Sequence, residues 1–483
     1  MNDIVSGIIM LLIGVNTLGA VITVFREPRD IAATWAWLLV LFLLPGVGFI
    51  MYFFLGRKLS KQKIFDMKTQ ESFGISKIVE YQRKTLDESK GDPIFQYNDY
   101  LKDLARLFLE SDESIITREN NVQMILDGRE KFDRLIQDIK AAKEHIHMVY
   151  YIFKDDEIGQ EIMELLVEKA RAGVEVLVIY DAMGSRSASY RFWEQLIKAG
   201  GQAIPFFGKK IGFINFRINY RNHRKIVIID GKVGYIGGYN IGEEYVGKGR
   251  LGYWRDTHMR ITGNAVLMLQ SRFFMDWNAA AKPNQLIAYD EKYFPISSET
   301  GTTTMQIVSS GPDNDYEQIK MGMIRMITMA KKTIFLQTPY FVPDESMIEV
   351  LRIAALSGVD VRVMIPCKPD HMFVYRATEF YAQNLAEAGV KIYTYQKGFL
   401  HSKTLVVDGE AGTIGTANFD VRSFKLNFEI NAFIYDRKVA REMEEIFLED
   451  MANCQEATLE YFAKQSKFMQ FRQMFSRLLG PIL

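Results

Sequence analysis

The sequence predicts an α/β protein in which one domain is written twice, behind a two-helix apolar hairpin. Three observations carry this. Residues 223–240, HRKIVIIDGKVGYIGGYN, and 401–418, HSKTLVVDGEAGTIGTAN, repeat one pattern: a His, a Lys two residues on, an Asp five further, a Gly directly after, and a closing Asn. Residues 141–153, AAKEHIHMVYYIF, are matched by 329–341, MAKKTIFLQTPYF, and 170–181, ARAGVEVLVIYD, by 355–366, ALSGVDVRVMIP. Residues 1–60 hold two long uncharged runs unlike anything later in the chain. The chain has six histidines, so two of them opening the same pattern is not chance.

The hairpin comes first. Residues 4–25 carry no charge, with Asn16 and Thr17 as the main polar interruptions, and 31–55 form a second uncharged run broken by Pro45-Gly46. Each is long enough to span a bilayer, the second with a kink. A signal peptide is the alternative for the first run, but MNDIV has no basic start and a second apolar run follows at once. In the connector, Arg26 and Arg29 are offset by Glu27 and Asp30, whereas Arg57, Lys58, Lys61 and Lys63 follow the second run with no acid among them. The positive-inside rule then puts residues 56–483 in the cytoplasm, with Trp35 and Trp37 at headgroup depth.

Residues 61–118 are polar and mixed, a helical linker broken at Gly91-Asp92-Pro93. The first α/β half is expected over 119–296 and the second over 303–463, joined at 295–303. Each half runs helix, strand, helix, Gly, strand and then the His motif, which places the two motifs at equivalent positions. Residues 205–225 interleave Phe206, Phe207, Phe213 and Phe216 with Lys209, Lys210, Arg217 and Arg221. That stretch reads either as an interfacial segment or as a loop packed on the domain. The tail at 464–483 sets Phe468, Phe471, Phe475, Leu478 and Leu479 against Lys464, Lys467, Arg472 and Arg477. It reads as a basic amphipathic helix, lying on a membrane or packed on the enzyme.

Composition narrows the class. Hydrophobic residues make up 48% of the chain, ample for large cores, and 59 basic residues balance 59 acidic ones, so no global basic field recruits nucleic acid. Cys367 and Cys454 are too few and too far apart for a disulfide framework or a zinc site, which fits a reduced compartment. No glycine cluster fits a P-loop.

In an extended segment, residues two apart share a face, so His223 projects with Lys225 and His401 with Lys403. Residues 226–229 and 405–407 supply strand core, and Asp230-Gly231 and Asp408-Gly409 read as hairpin turns. Asn240 and Asn418 lie on the returning side beside small residues. Two such units face to face offer two imidazoles, two ammonium groups and two amides to one anion, which is a phosphate site.

The paired motif resembles the phospholipase D superfamily, which breaks and remakes phosphodiester bonds without a metal. The resemblance implies a duplicated phospholipase D-like fold sharing one active site. In it one His attacks phosphorus and becomes a phosphohistidine while the other protonates the leaving alcohol. It also implies that Lys225, Lys403, Asn240 and Asn418 hold the nonbridging oxygens. Asp230 and Asp408 are counted in the catalytic set with His223, Lys225, His401 and Lys403 as members of the motif, though they fit turn stabilisation better than substrate contact. A nucleophilic imidazole needs its far nitrogen held, and one candidate carboxylate follows each motif: Asp256 in YWRDTHMRITG and Glu429 in KLNFEINAFIYD. Glu243 and Glu244 are nearer the first motif but read as a loop or helix start.

The stretches REPRDIAATWAWLLVLFLLPGVGF, NYRNHRKIVIIDGKVGYIGGYNIG, YWRDTHMRITG, QTPYFVPD and GFLHSKTLVVDG resemble bacterial cardiolipin synthases of the two-span type, almost from end to end. Gly237-Gly238 and Gly415-Thr416 stand where many superfamily members have Gly-Ser. This resemblance implies a phosphatidyltransferase of the bacterial cell membrane that uses phosphatidylglycerol, with no cofactor, no metal and no nucleic acid. It points to His223 as nucleophile. Arg221, Arg224 and Lys225 crowd that ring and favour a neutral imidazole by like-charge repulsion. His145 and His147 read as strand core or edge and His258 as a ring stacked near Asp256. His371, after a strand end, is within reach of a headgroup.

Overall fold

The computed structural model describes residues 31–44, 75–87, 98–207, 219–296 and 301–478, with isolated positions elsewhere. The chain divides into two compact units, Met1–Lys63 with Phe207–Tyr220, and Ile64–Phe206 with Arg221–Leu483. In the first, helix α1 covers Ile31–Leu43 without a charge. The Trp37 and Tyr52 rings meet edge to face at 5.2 Å. Among the described residues no helix is long and apolar enough to cross a membrane. The expected span at 4–25, much of that at 31–55, the flanking charges, the break at 91–93 and residues 208–218 of the aromatic-basic stretch lie outside the described residues.

The second unit is built on one continuous 16-stranded sheet, not two separate ones. Its strands are β1 Ile116–Ile125, β2 His145–Tyr150, β3 Glu175–Asp181, β4 Gln202–Phe206, β5 Arg221–Asn222, β6 Lys225–Ile229, β7 Val233–Gly237 and β9 His258–Thr262, then β10 Thr303–Ser310, β11 Thr333–Gln337, β13 Asp360–Pro366, β14 Lys391–Tyr395, β16 Thr404–Val407, β17 Ala411–Gly415, β19 Asn427–Ile434 and β20 Cys454–Glu456. Two small pairs stand apart: β8 Tyr253–Arg255 with β15 Gly398–Leu400, and β12 Phe341–Val342 with β18 Phe419–Asp420.

The duplication is visible in the strand order. Outward from the antiparallel β1–β10 seam the sheet runs β9-β7-β6-β2-β3-β4 on one side and β19-β17-β16-β11-β13-β14 on the other, with β20 at the far edge. Strands β2-β3-β4 and β11-β13-β14 run parallel, while the inner strands of each half and the edge strand β20 pair antiparallel. Helices cover the faces. Helix α2, Glu157–Arg171, buries Ile158, Ile162, Met163, Leu166 and Val167 along one stripe, and Asp156 caps it through the Gly159 N–H at 3.0 Å. Gly173 and its counterpart Gly358 both sit at φ +91°, turning a helix end into β3 and β13 where a side chain would be strained. Four further helices bear on the site: α3 Ala265–Ala280, α4 Met372–Ala386, α5 Arg437–Met451 and α6 Lys467–Leu478.

The two Asp-Gly turns form as their residue types require. Asp230 and Gly231 have φ of 53° and 63°, Asp408 and Gly409 of 54° and 60°, a left-handed pair closed by the Lys232 N–H on the Ile229 carbonyl and the Glu410 N–H on the Val407 carbonyl, each at 3.0 Å. Each carboxylate accepts three backbone N–H groups at the start of the neighbouring strand. Asp230 takes those of Lys143, Glu144 and His145 at 2.8–2.9 Å, and Asp408 those of Lys331, Lys332 and Thr333 at 2.7–2.8 Å. The same lock is built twice.

Candidate active site

The two histidines stand just before β6 and β16, and each is held by the opposite half. Short parallel pairings bring β5 against the start of β19 and β8 against β15. The His223 N–H donates to the Phe428 carbonyl at 2.9 Å, and the His401 N–H to the Arg255 carbonyl at 2.7 Å. The side chains follow the backbone across. His223 Nδ1 lies 2.9 and 3.0 Å from the Glu429 carboxylate oxygens, and His401 Nδ1 lies 2.5 Å from Asp256 Oδ2. Each imidazole is therefore oriented by the carboxylate that follows the other motif. In each ring this leaves Nε2 as the nitrogen available for chemistry.

These carboxylates are themselves fixed. Thr416 Oγ1 donates to Glu429 at 2.6 Å and Asn427 Nδ2 at 3.2 Å. Asp256 accepts the Thr257 N–H at 2.7 Å and fills space left by Gly238, where a Cβ would lie 2.1 Å from its Oδ1. Lys225 Nζ donates to the His223 carbonyl at 2.5 Å, and Lys403 Nζ makes the equivalent bond to His401. Asn240 accepts the Ile152 N–H at 3.1 Å and donates to Tyr245 Oη at 2.6 Å. Asn418 Oδ1 is buried and has no hydrogen-bond partner among the described residues. Rings wall the cluster: Tyr151 is 4.8 Å from His223, and Trp254 and Tyr245 are 5.2 and 5.9 Å from His401.

Eight of the residues singled out in sequence thus converge. Asp230 and Asp408, counted with the motif, do not. They lie at the far ends of β6 and β16, roughly 20 Å along the strand from the histidines, with their oxygens committed to the turn locks. Glu243 and Glu244 start a short 3₁₀ turn, and Glu244 pairs with Lys154.

Burial pushes both imidazoles down to about 4. The facing carboxylate opposes this in each, while Lys225 beside His223 and Lys403 beside His401 add to it. Burial also lowers the lysines, Lys403 to about 8 and Lys225 well below the usual amine range. At Glu429 burial is outweighed by His223, Lys225 and Thr416, so the carboxyl stays below its ordinary range. The resting site holds neutral imidazoles against acidic side chains, beside two lysines whose amines are lowered by burial and whose charged form a bound anion favours. Of the three cations expected to crowd His223, only Lys225 does. Arg221 pairs with buried Asp181 at 3.3 Å and Arg224 with buried Asp276 of α3 at 2.9 Å. Both guanidiniums are spoken for, and the two imidazoles reach the same value.

Sequence reasoning missed the supports. Arg255, next to Asp256, pairs with Asp450 of α5 at 2.8 Å, and Thr257 meets Ser402 at 2.8 Å across the halves. Thr416 left one signal, since it occupies the motif position of Gly238. The other histidines take no part. His145 and His147 are buried on β2, against Gln270 and Glu175, and His258 is buried with neither ring nitrogen partnered among the described residues. His371 is exposed at the start of α4, 3.9 Å from Asp370. Among the described residues no group of His, Cys, Asp and Glu could hold a metal ion.

Comparison with known proteins converges on one family. The family described as "Cardiolipin synthase, PLD-like domain" matches residues 135–250 and 323–451, and "Phospholipase_D-nuclease N-terminal" matches 17–57. A cardiolipin synthase of Listeria innocua is 53% identical over 480 residues, 99% of each chain. The major cardiolipin synthase of Bacillus subtilis is 47% identical over 473 residues, 97% of each. Among solved structures, a phosphatidylserine synthase of Haemophilus influenzae superposes with a TM-score of 0.62 at 14% identity, over 79% of this chain and 100% of that one, a likeness of fold.

Proposed function

This chain belongs to the cardiolipin synthase family of the phospholipase D superfamily, and on that premise we propose that it transfers the phosphatidyl group of one phosphatidylglycerol to another, giving cardiolipin and glycerol. It is a phosphatidyltransferase. His223 Nε2 attacks phosphorus and the bond from phosphorus to the glycerol oxygen breaks, while His401, which takes up a second proton as the phosphodiester anion binds beside it, gives that oxygen the proton from its Nε2. The terminal hydroxyl of a second phosphatidylglycerol then passes its proton to His401 and attacks, and the phosphorus–nitrogen bond breaks. Lys225, Lys403, Asn240 and Asn418 carry the nonbridging charge. Glu429 and Asp256 keep each Nδ1 protonated and stabilise the imidazolium that forms.

The crossed His–carboxylate pairs carry this reading, because they supply two equivalent, oriented imidazoles where one phosphodiester needs a nucleophile and an acid. The family's N-terminal nucleophile supports His223 over His401. Purified protein given labelled phosphatidylglycerol alone should yield cardiolipin and glycerol. A trapped phosphatidyl-enzyme should map to His223, and a label on His401 reverses the roles.

The membrane arrangement belongs to the same proposal. The match at 17–57 and the uncharged runs support a two-span hairpin over 4–25 and 31–55, and the cations after the second run support a cytoplasmic catalytic part. The halves then occupy 119–296 and 303–463. Protease cutting the catalytic part from outside intact cells would refute the orientation.

A further inference from the structure

Helix α6 is packed inside out. Its buried residues are the polar Gln473 and Ser476, 1% and 2% exposed, while Phe468, Phe471, Phe475 and Leu478 are 70%, 63%, 48% and 68% exposed. The four apolar residues recur at helical spacing and form one stripe. The polar face seats the helix on α4, where Gln473 Nε2 donates to Glu379 at 3.2 Å and the Arg477 guanidinium lies 4.8 Å over the Phe380 ring, and Gln473 Nε2 also donates to Gln465, just before the helix, at 2.8 Å. At 100° per residue, Lys467 and Arg472 flank the apolar stripe on its two sides, and Arg477 lies beside the buried Gln473. Lys467, Arg472 and Arg477 are the only charges on the helix, and all are positive.

We propose that α6 is an interfacial anchor that lays its aromatic stripe into an anionic bilayer surface and so holds the active-site mouth against the lipid. Four large apolar side chains on one exposed helical face mark an interaction surface, not ordinary scatter. The charges choose the occupant. A second copy meeting this face about a two-fold axis would set the Lys467 and Arg472 of each copy among those of the other, with no carboxylate on the helix to relieve them. An anionic headgroup layer relieves all three, and long cationic side chains flanking an apolar stripe suit that boundary. The helix also ends in the right place. A Cβ at Gly480 would lie 3.3 Å from Val342 of β12, and β12 pairs with β18, whose Phe419 directly follows Asn418 of the cluster.

The test uses the full chain with Cys367→Ser and Cys454→Ser. A polarity-sensitive fluorophore is placed at Phe471→Cys or, as control, at Lys198→Cys on the exposed face of the first half. The protein is reconstituted in phosphatidylcholine–phosphatidylglycerol vesicles with brominated acyl chains. Quenching at position 471 is expected to exceed that at 198 several-fold and to weaken when phosphatidylglycerol is omitted. Equal quenching at both positions, or a 471 probe shielded only as the protein dimerises, overturns the proposal. Separately, Phe471→Ser with Phe475→Ser should slow turnover of bilayer-embedded phosphatidylglycerol several-fold and leave turnover of a short-chain, detergent-dispersed form unchanged. Equal loss on both, or loss on neither, tells against it. The quenching needs no turnover, so it reads the anchor even if the proposed transfer fails.

Discussion

The contact that decides the chemistry is a single one at each ring, Nδ1 to a carboxylate from the opposite half. If His223 attacks and His401 is the acid, the two carboxylates are separable with a substrate whose leaving group needs no proton. With a p-nitrophenyl phosphodiester, Asp256→Asn should recover most of the burst of released phenol. Glu429→Gln should stay about 10²- to 10⁴-fold slow, as when an orienting carboxylate is lost. The opposite pattern assigns the roles the other way. The same residues predict a pH dependence of stability. Folded, His223 and His401 sit at about 4, below the unfolded value of about 6.5. Between those values the unfolded chain binds more protons, so stability rises with pH through that window and is lost as pH falls through it. The thermal midpoint should drop on acidification from about pH 6.5 towards about pH 4, and His223→Asn with His401→Asn should flatten the slope.

At the scale of the element, the Asp-Gly turns and the buried Arg–Asp pairs hold the histidine strands in register. Asp230→Ala removes the acceptor of three backbone N–H groups and leaves a non-glycine residue at positive φ. It should cost about 2–3 kcal/mol in chemical denaturation, with turnover per folded molecule little changed. A fall in turnover as deep as that of a histidine variant would return Asp230 to the catalytic set. Asp450→Ala strands the buried Arg255 guanidinium beside Asp256 and should cost about 3–5 kcal/mol. The turns were legible in sequence because Asp-Gly is a local conformational code. The Arg255–Asp450 pair was not, since its members belong to different halves and nothing in their spacing announces it.

For the whole molecule, one site is made from both halves of one chain. His223→Ala and His401→Ala should each abolish synthesis, and the double variant should be no slower than either, because the pair acts as a unit. Mixing the two single variants should restore nothing, since each site draws both histidines from the same chain. Recovery of turnover would mean that halves exchange between copies. The duplicated strand order was legible from the repeated segments, whereas the continuous sheet was not. The antiparallel β1–β10 seam that joins the halves is a long-range pairing with no periodic signature of its own.

The sequence by itself determined the duplication, the motif residues that would meet, the turns between their strands and the uncharged runs before them. All of these are local patterns of residue type and spacing. Tertiary structure alone decided which carboxylate serves which histidine, because the parallel pairings β5–β19 and β8–β15 carry each imidazole into the opposite half. It also decided that Arg221 and Arg224 turn to buried aspartates instead of crowding His223. Arg224 follows His223 directly and so points to the opposite side of an extended segment, whereas Arg221 shares the His223 face and is drawn off by the buried Asp181 carboxylate.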